Sequence, residues 1–184
     1  MEATDIEAAD MGSVVFVSLG CDKNLVDSEF MLGMLQEHGW VITNDEMQAD
    51  VIVVNTCCFI NDAKEESVNT ILEMADYKKT GKCKALLVTG CLAQRYTQEI
   101  RQEIPEVDAV LGIHSYDELI HALKEVTDGK TYESFRTFEE RLQKNAAGGS
   151  QACRKRSITT GGHYAYLKIA EGCDKHCSYC IIPK

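Results

Sequence analysis

Cysteines carry the chemistry most plainly implied by this chain, supplying 9 of its 184 residues. Three lie close together in the run Cys173-Asp174-Lys175-His176-Cys177-Ser178-Tyr179-Cys180, a C-x3-C-x2-C spacing with an aromatic residue before the last thiol. At this cysteine content the pattern arises by chance only about 0.02 times per chain of this length. Three thiolates on one tight loop can hold three irons of a cubane iron–sulfur cluster, leaving the fourth iron open to a small molecule. Three small buried apolar residues, or a zinc knuckle, are the alternatives. Zinc would want paired C-x2-C arms and a fourth ligand.

Three further thiols have no local spacing motif. Cys21 follows the apolar run Val14–Ser18, Cys57 follows Val51–Asn55, and Cys91 follows Ala85–Thr89, each within three residues of the run's end. If these runs are parallel strands, their carboxyl ends share one edge of the sheet, where open α/β sheets place ligands. Thiols more than 30 residues apart would then converge, and three ligands again leave an iron open. The plain alternative is that cysteines pack well beside strands.

The elements that must position these thiols are legible. The three runs, with Ala109–Leu111, are continuously hydrophobic rather than alternating, as strands buried on both faces of a parallel sheet should be. A short strand is expected near Val41–Thr43. Between the runs, Leu25–His38 reads as a helix with Val26, Phe30, Met34 and Leu35 on one side, stopping at Gly39. Asn61 caps a second helix bearing Val68, Ile71, Leu72 and Ala75, ended by Gly81. Tyr96, Ile100 and Ile104 form a third stripe. Ser115 with Glu118 reads as a capping box opening a helix with Leu119, Leu123 and Val126 inward.

Strand alternating with helix predicts a doubly wound α/β domain with a mostly parallel sheet over residues 14–126. Residues 1–13 form an acidic, disordered start. From 127 to 162 the pattern fails, with Asn145-Ala146-Ala147-Gly148-Gly149-Ser150 linker-like and Arg154-Lys155-Arg156 a small basic cluster. This is an interdomain connector, with a turn or two of helix available over Phe135–Leu142. Residues 163–184 begin another unit.

Composition excludes several classes. Hydrophobic residues make up 45%, as in a globular protein. The net charge of −10, from 29 acidic and 19 basic residues, argues against direct nucleic-acid binding by this portion. No apolar run reaches the roughly 18 residues that span a membrane, and the start is no signal peptide. A cytoplasmic location is the expectation, and in a reducing cytosol the thiols are metal ligands or free.

The run 173–180 resembles that of radical S-adenosylmethionine enzymes, whose hallmark is this spacing with an aromatic at the position of Tyr179. His163-Tyr164-Ala165-Tyr166-Leu167-Lys168-Ile169-Ala170-Glu171-Gly172 is similar to the first barrel strand of the methylthiotransferase branch. Ser18-Leu19-Gly20-Cys21-Asp22-Lys23-Asn24-Leu25-Val26-Asp27-Ser28-Glu29, Asn55-Thr56-Cys57-Cys58-Phe59-Ile60 and Gly90-Cys91-Leu92-Ala93-Gln94-Arg95-Tyr96 resemble that branch's amino-terminal domain. Within it, the run from Cys21 to Glu29 and His163-Tyr164-Ala165-Tyr166 resemble the RimO type, which modifies an aspartate of a small-subunit ribosomal protein. The MiaB type, which modifies adenosine in tRNA, usually shows Gln-Met-Asn after the first cysteine.

The resemblance implies two 4Fe–4S clusters. An auxiliary one would sit on Cys21, Cys57 and Cys91, and one binding S-adenosylmethionine on Cys173, Cys177 and Cys180, with Tyr179 packing near the adenine. It implies a small-subunit ribosomal protein as substrate and a flavodoxin- or ferredoxin-type reductant. It also implies a barrel beyond residue 184, so the chain reads as the front portion of a larger enzyme, inactive by itself for want of walls that exclude water. The alternatives are a tRNA adenosine methylthiotransferase, a non-catalytic iron–sulfur docking or electron-transfer domain, and a metal-free α/β interaction module. Cys58, Cys83 and Cys153 read as non-ligands. His38, His114 and His121 read as surface or capping residues, with His114 the nearest to the proposed edge. Asn24, Asp27 and Ser28 either orient the cluster loop or cap a helix. Lys78-Lys79 reads as a solvated helix face.

Overall fold

A computed structural model describes residues 11–146 and 155–182; the start up to residue 10, residues 147–150 of the linker-like run, Cys153 and Arg154 lie outside the described residues. Six strands form one sheet: β1 (Ser13–Ser18), β2 (Val41–Ile42), β3 (Val51–Thr56), β4 (Ala85–Gly90), β5 (Ala109–Leu111) and β6 (Tyr132–Ser134). Their order is β2-β1-β3-β4-β5-β6 and every pairing is parallel. The helices are α1 (Asp22–Glu37), α2 (Asn61–Thr80), α3 (Cys91–Arg95), α4 (Thr97–Glu103), α5 (Leu119–Thr127) and α6 (Phe138–Ala146).

Each position of β3 and β4 is buried, which is why their first four residues are all apolar and the polar Asn55, Thr56 and Thr89 fall only at their carboxyl ends. Successive residues point to opposite faces. Ile52, Val54, Leu86 and Val88 pack with Ile71 and Met74 of α2, Leu92 of α3 and Ile100 of α4. Val51, Val53, Leu87 and Leu111 pack on the other face with Met31 and Leu35 of α1 and Leu119 and Leu123 of α5. Helices therefore cover both faces, and the α/β doubly wound reading holds.

Several local expectations need correction. The sheet continues past residue 126, because β6 pairs with β5 inside the stretch read as connector. Asn61 is the first residue of α2 and makes no side-chain cap. Ser115 and Glu118 form no capping box: a 3-10 turn at Tyr116–Glu118 leads into α5, the Ser115 hydroxyl is buried without a partner, and Glu118 pairs with Arg136 and Lys144. The two cations outcompete the backbone for that carboxylate. The Lys78 ammonium is not simply solvated either, lying 2.6 Å from Asp108 and 2.8 Å from the Glu106 carbonyl. Residues 163–170 carry no strand pairing, since no described strand lies alongside to supply ladder partners.

At the amino ends of the strands, Asp50 accepts the Ser13 N–H at 2.9 Å and hydroxyl at 3.0 Å and faces Lys84 Nζ at 3.0 Å. The Ser13 N–H, then Lys84, pull its carboxyl down from 3.8 to about 2. A carboxyl depressed in the folded state contributes stability above its unfolded pKa that disappears as pH falls through the folded one. Asp50→Asn should cost about 1–2 kcal/mol at pH 7 and flatten the loss of stability between pH 4 and 2, measured by urea unfolding.

Candidate metal centre

The chain leaves β1 for β2 on one side and then crosses from β2 back to β3 and on to β4 on the other, so the connections diverge between the carboxyl ends of β1 and β3. A crevice opens at such a switch point. Cys21 lies at its β1 side, as the residue before α1, in extended conformation. Cys57 follows β3 directly, and Cys91 opens α3 directly after β4. The three thiols predicted from strand ends thus occupy the carboxyl edge of three adjacent strands, and all are free.

Short side chains fix this edge. Asn24 is buried, and its amide nitrogen reaches the carbonyls of Leu19 at 2.5 Å, Thr56 at 3.3 Å and Asn55 at 3.5 Å. Asn55 answers with its own amide on the Asn24 carbonyl at 3.2 Å and the Ser28 hydroxyl at 2.9 Å. The Ser28 and Ser18 hydroxyls lie 2.6 Å apart. Asn24 and Ser28 are therefore loop-orienting residues and not caps. The Cys57 backbone is clamped from α2, where the Ser67 hydroxyl accepts its N–H at 3.0 Å and donates to its carbonyl at 2.8 Å. Sequence gave no sign of Ser67, which looks like any other polar residue of an amphipathic helix.

Cys91 keeps solvent-exposed surface, yet lost hydration pushes its thiol up to about 12, with Cys58, Cys57, Cys21 and Asp27 adding repulsion. Negative charge accumulates badly on crowded thiols, and a bound cation is what relieves it. Soft thiolates are also the donors that iron–sulfur clusters take. The donor set accordingly fits a cluster on Cys21, Cys57 and Cys91. Among the described residues there is no group of three or more His, Cys, Asp or Glu that could hold a metal ion. A cubane distributes its three cysteines over three different irons, a wider arrangement than one ion demands.

The other described thiols lie in the core or in the last loop. Cys58 is buried in the core on the α2 side, and burial raises its thiol pKa. Cys83 sits before β4, buried, with its Sγ 3.3 Å from the Ala85 carbonyl. Cys173 and Cys177 are exposed and Cys180 half-buried, in an irregular loop where the Cys180 N–H donates to the Cys177 carbonyl at 3.1 Å. Tyr179 is 86% exposed.

Beside the thiol edge lies a cavity of about 430 Å³, lined by Asp27, Phe30, Tyr116, Phe138, Arg141 and Lys168 among others. Burial raises the Asp27 carboxyl to about 6, against the pull of Lys168, whose Nζ lies 2.9 and 2.8 Å from its oxygens. Lys168 and Arg141 also pair with Glu171 at 2.6 and 3.1 Å. His114 stands against Phe138 at 5.8 Å, and burial lowers its pKa. Asp27 is thus neither a cap nor a loop tie, but an ion-pair partner for a residue far along the chain.

Comparison with known proteins agrees with this geometry. The family model described as "Uncharacterized protein family UPF0004" matches residues 13–112, which include the sheet through β5 and Cys21, Cys57 and Cys91. A protein of Lachnoclostridium phytofermentans named ribosomal protein uS12 methylthiotransferase RimO is 60% identical over 171 residues, 93% of this chain and 37% of the relative. Proteins of the same name from Acetivibrio thermocellus and Caldicellulosiruptor saccharolyticus are 50% and 51% identical, over 92% and 94% of this chain and 37% and 38% of theirs. The chain spans little more than a third of the length of these relatives. With more than half of its residues matched by the family model and its three edge cysteines within the match, the chain belongs to the UPF0004 family.

Proposed function

We propose that this chain is the amino-terminal portion of a radical S-adenosylmethionine methylthiotransferase that modifies an aspartate of the small-subunit ribosomal protein uS12. The observation that carries the reading is the placement of Cys21, Cys57 and Cys91 at the carboxyl ends of three adjacent parallel strands. The name shared by the relatives supports the reaction and the substrate. The net charge of −10 favours a protein over tRNA as partner of this portion.

In this reading Cys21, Cys57 and Cys91 hold an auxiliary 4Fe–4S cluster, and Cys173, Cys177 and Cys180 hold the one that binds S-adenosylmethionine. When bound, the clusters and S-adenosylmethionine supply the one-electron chemistry, sulfur and methyl group that no side chain can. The chain's own residues do the rest. Asn24, Asn55 and Ser67 fix the backbone from which Cys21 and Cys57 project. Lys168 and Glu171 hold the approach to Cys173 against α1 and α6. Tyr179, 86% exposed, would pack near the adenine of S-adenosylmethionine. The reductant is a flavodoxin- or ferredoxin-type protein and the location is the cytoplasm. No helix among the described residues is long and apolar enough to cross a membrane.

Anaerobic reconstitution with iron and sulfide tests the reading. The chain should take up about eight irons, and the combined C21A, C57A and C91A variant about four. Undiminished iron in that variant overturns the auxiliary site. With a protein of the relatives' full length, uS12 should gain the mass of a methylthio group on one aspartate. Gain on tRNA instead would transfer the assignment to the nucleic-acid branch.

A further inference from the structure

The end of the stretch read as connector and the start of the unit after it are held to the domain by two acidic residues of α1, the helix that begins just after Cys21. Glu29 is fully buried, and its partners all come from about 130 residues away. Its Oε2 accepts Arg156 Nε at 2.8 Å and Nη2 at 2.5 Å; its Oε1 accepts the Thr159 N–H at 2.6 Å and hydroxyl at 3.0 Å. The Glu29 carbonyl takes the Ser157 N–H at 3.0 Å. Arg156 continues inward to the Tyr166 carbonyl at 2.8 Å and lies over the Phe30 ring at 5.6 Å.

Two residues earlier on α1, Asp27 takes Lys168, five residues before Cys173. Just before the first of these grips the chain lies against the helix at Gly33. The Lys155 carbonyl sits where a side chain on Gly33 would be, so no larger residue fits there. Buried charges are costly unless paired, and here each carboxylate is completed only by the distant segment. An unattached connector would leave Glu29 without the cation and donors that surround it.

We propose that Glu29 and Asp27 are positioning residues: they dock residues 155–168 on α1, and so fix where the Cys173-Cys177-Cys180 loop stands relative to the Cys21, Cys57 and Cys91 edge. α1 acts as the common ruler, with one thiol set at its amino end and the approach to the other clamped by side chains on two of its flanks. The inference uses the two-cluster reading only for its consequence, while the docking itself stands on the metal-free chain.

Hydrogen–deuterium exchange on the metal-free chain separates the two. In the R156Q/K168M double variant, which changes only the docked segment, the Ser157 and Thr159 amides should exchange roughly tenfold to a hundredfold faster. The amides of β3 and β4 should stay unchanged. Lys168→Arg, which keeps the Asp27 pair, should behave as the original chain. In the reconstituted, reduced protein, the magnetic interaction between the two clusters should weaken in R156Q/K168M at unaltered iron content, a signature that general stability would not move. Slow exchange at Ser157 and Thr159 in the double variant overturns the docking. Faster exchange with undiminished cluster interaction overturns the positioning role. Loss of iron on C21A/C57A/C91A bears on the metal site alone.

Discussion

Gly90→Ala will destabilise the chain by at least about 3 kcal/mol, whereas Gly20→Ala will cost about 1–2 kcal/mol and damage metal binding instead. Both glycines have φ +96°, a region L side chains rarely adopt, and both stand just before an edge cysteine. What a new methyl group meets differs. At Gly90 it meets the Thr56 carbonyl, the Asn55 Oδ1 at 2.5 Å and the Thr56 N at 2.7 Å, all held inside the sheet. Neighbouring strands β3 and β4 would have to separate. At Gly20 it meets the Cβ of Cys57 at 2.6 Å and its Sγ at 2.8 Å; the sulfur can rotate away, while the Cβ gives way only by a shift of the loop after β3, with no strand pair to separate.

Urea unfolding of both variants, with iron counts in a C173A/C177A/C180A background, checks the contrast. Gly20→Ala should lose most of the roughly four irons expected there while remaining folded. Equal stability losses in the two variants would show that the Cys57 side chain is not what Gly20 accommodates.

The sheet was legible because strands buried on both faces open on unbroken apolar runs, as Val51–Val54 of β3 and Ala85–Val88 of β4 do. The thiol edge followed from topology alone, since parallel strands must end together. What escaped was whatever depends on distant partners. β6 has the sequence Tyr-Glu-Ser and is half-exposed at the sheet's margin, so it carries too little apolar character to be seen. Ser115 and Glu118 have the spacing of a capping box, but Arg136 and Lys144 claim the carboxylate.

Arg156 read as part of a basic cluster in a linker, and nothing near it in sequence announces Glu29. Buried ion pairs spanning more than 100 residues leave no periodicity, and only the fold reveals them. The same holds for Ser67, whose work on the Cys57 backbone is done across a turn of chain that sequence spacing does not encode.

Asn24 concentrates this dependence in one side chain. Its amide nitrogen is the only part that meets three carbonyls, those of Leu19, Asn55 and Thr56, and those carbonyls flank the chain leading to Cys21 and Cys57. Asn24→Ala removes the donors and should cost about 2–3 kcal/mol. Asn24→Asp is nearly isosteric but sets carboxylate lone pairs against the same carbonyls, and should cost more than alanine at pH 7.

The sign of the pH response follows. A carboxyl facing acceptors is favoured in its protonated form, so its folded pKa rises above the unfolded value. Its penalty is absent below the unfolded pKa and grows as pH rises toward the folded one. The aspartate variant should therefore recover stability relative to the alanine variant as pH falls from 7 toward 4, with no such trend in the original chain at this residue. Urea midpoints at pH 4, 5.5 and 7 decide it: an aspartate variant as stable as the asparagine chain at pH 7 would mean that the three carbonyls do not need Asn24 as their donor.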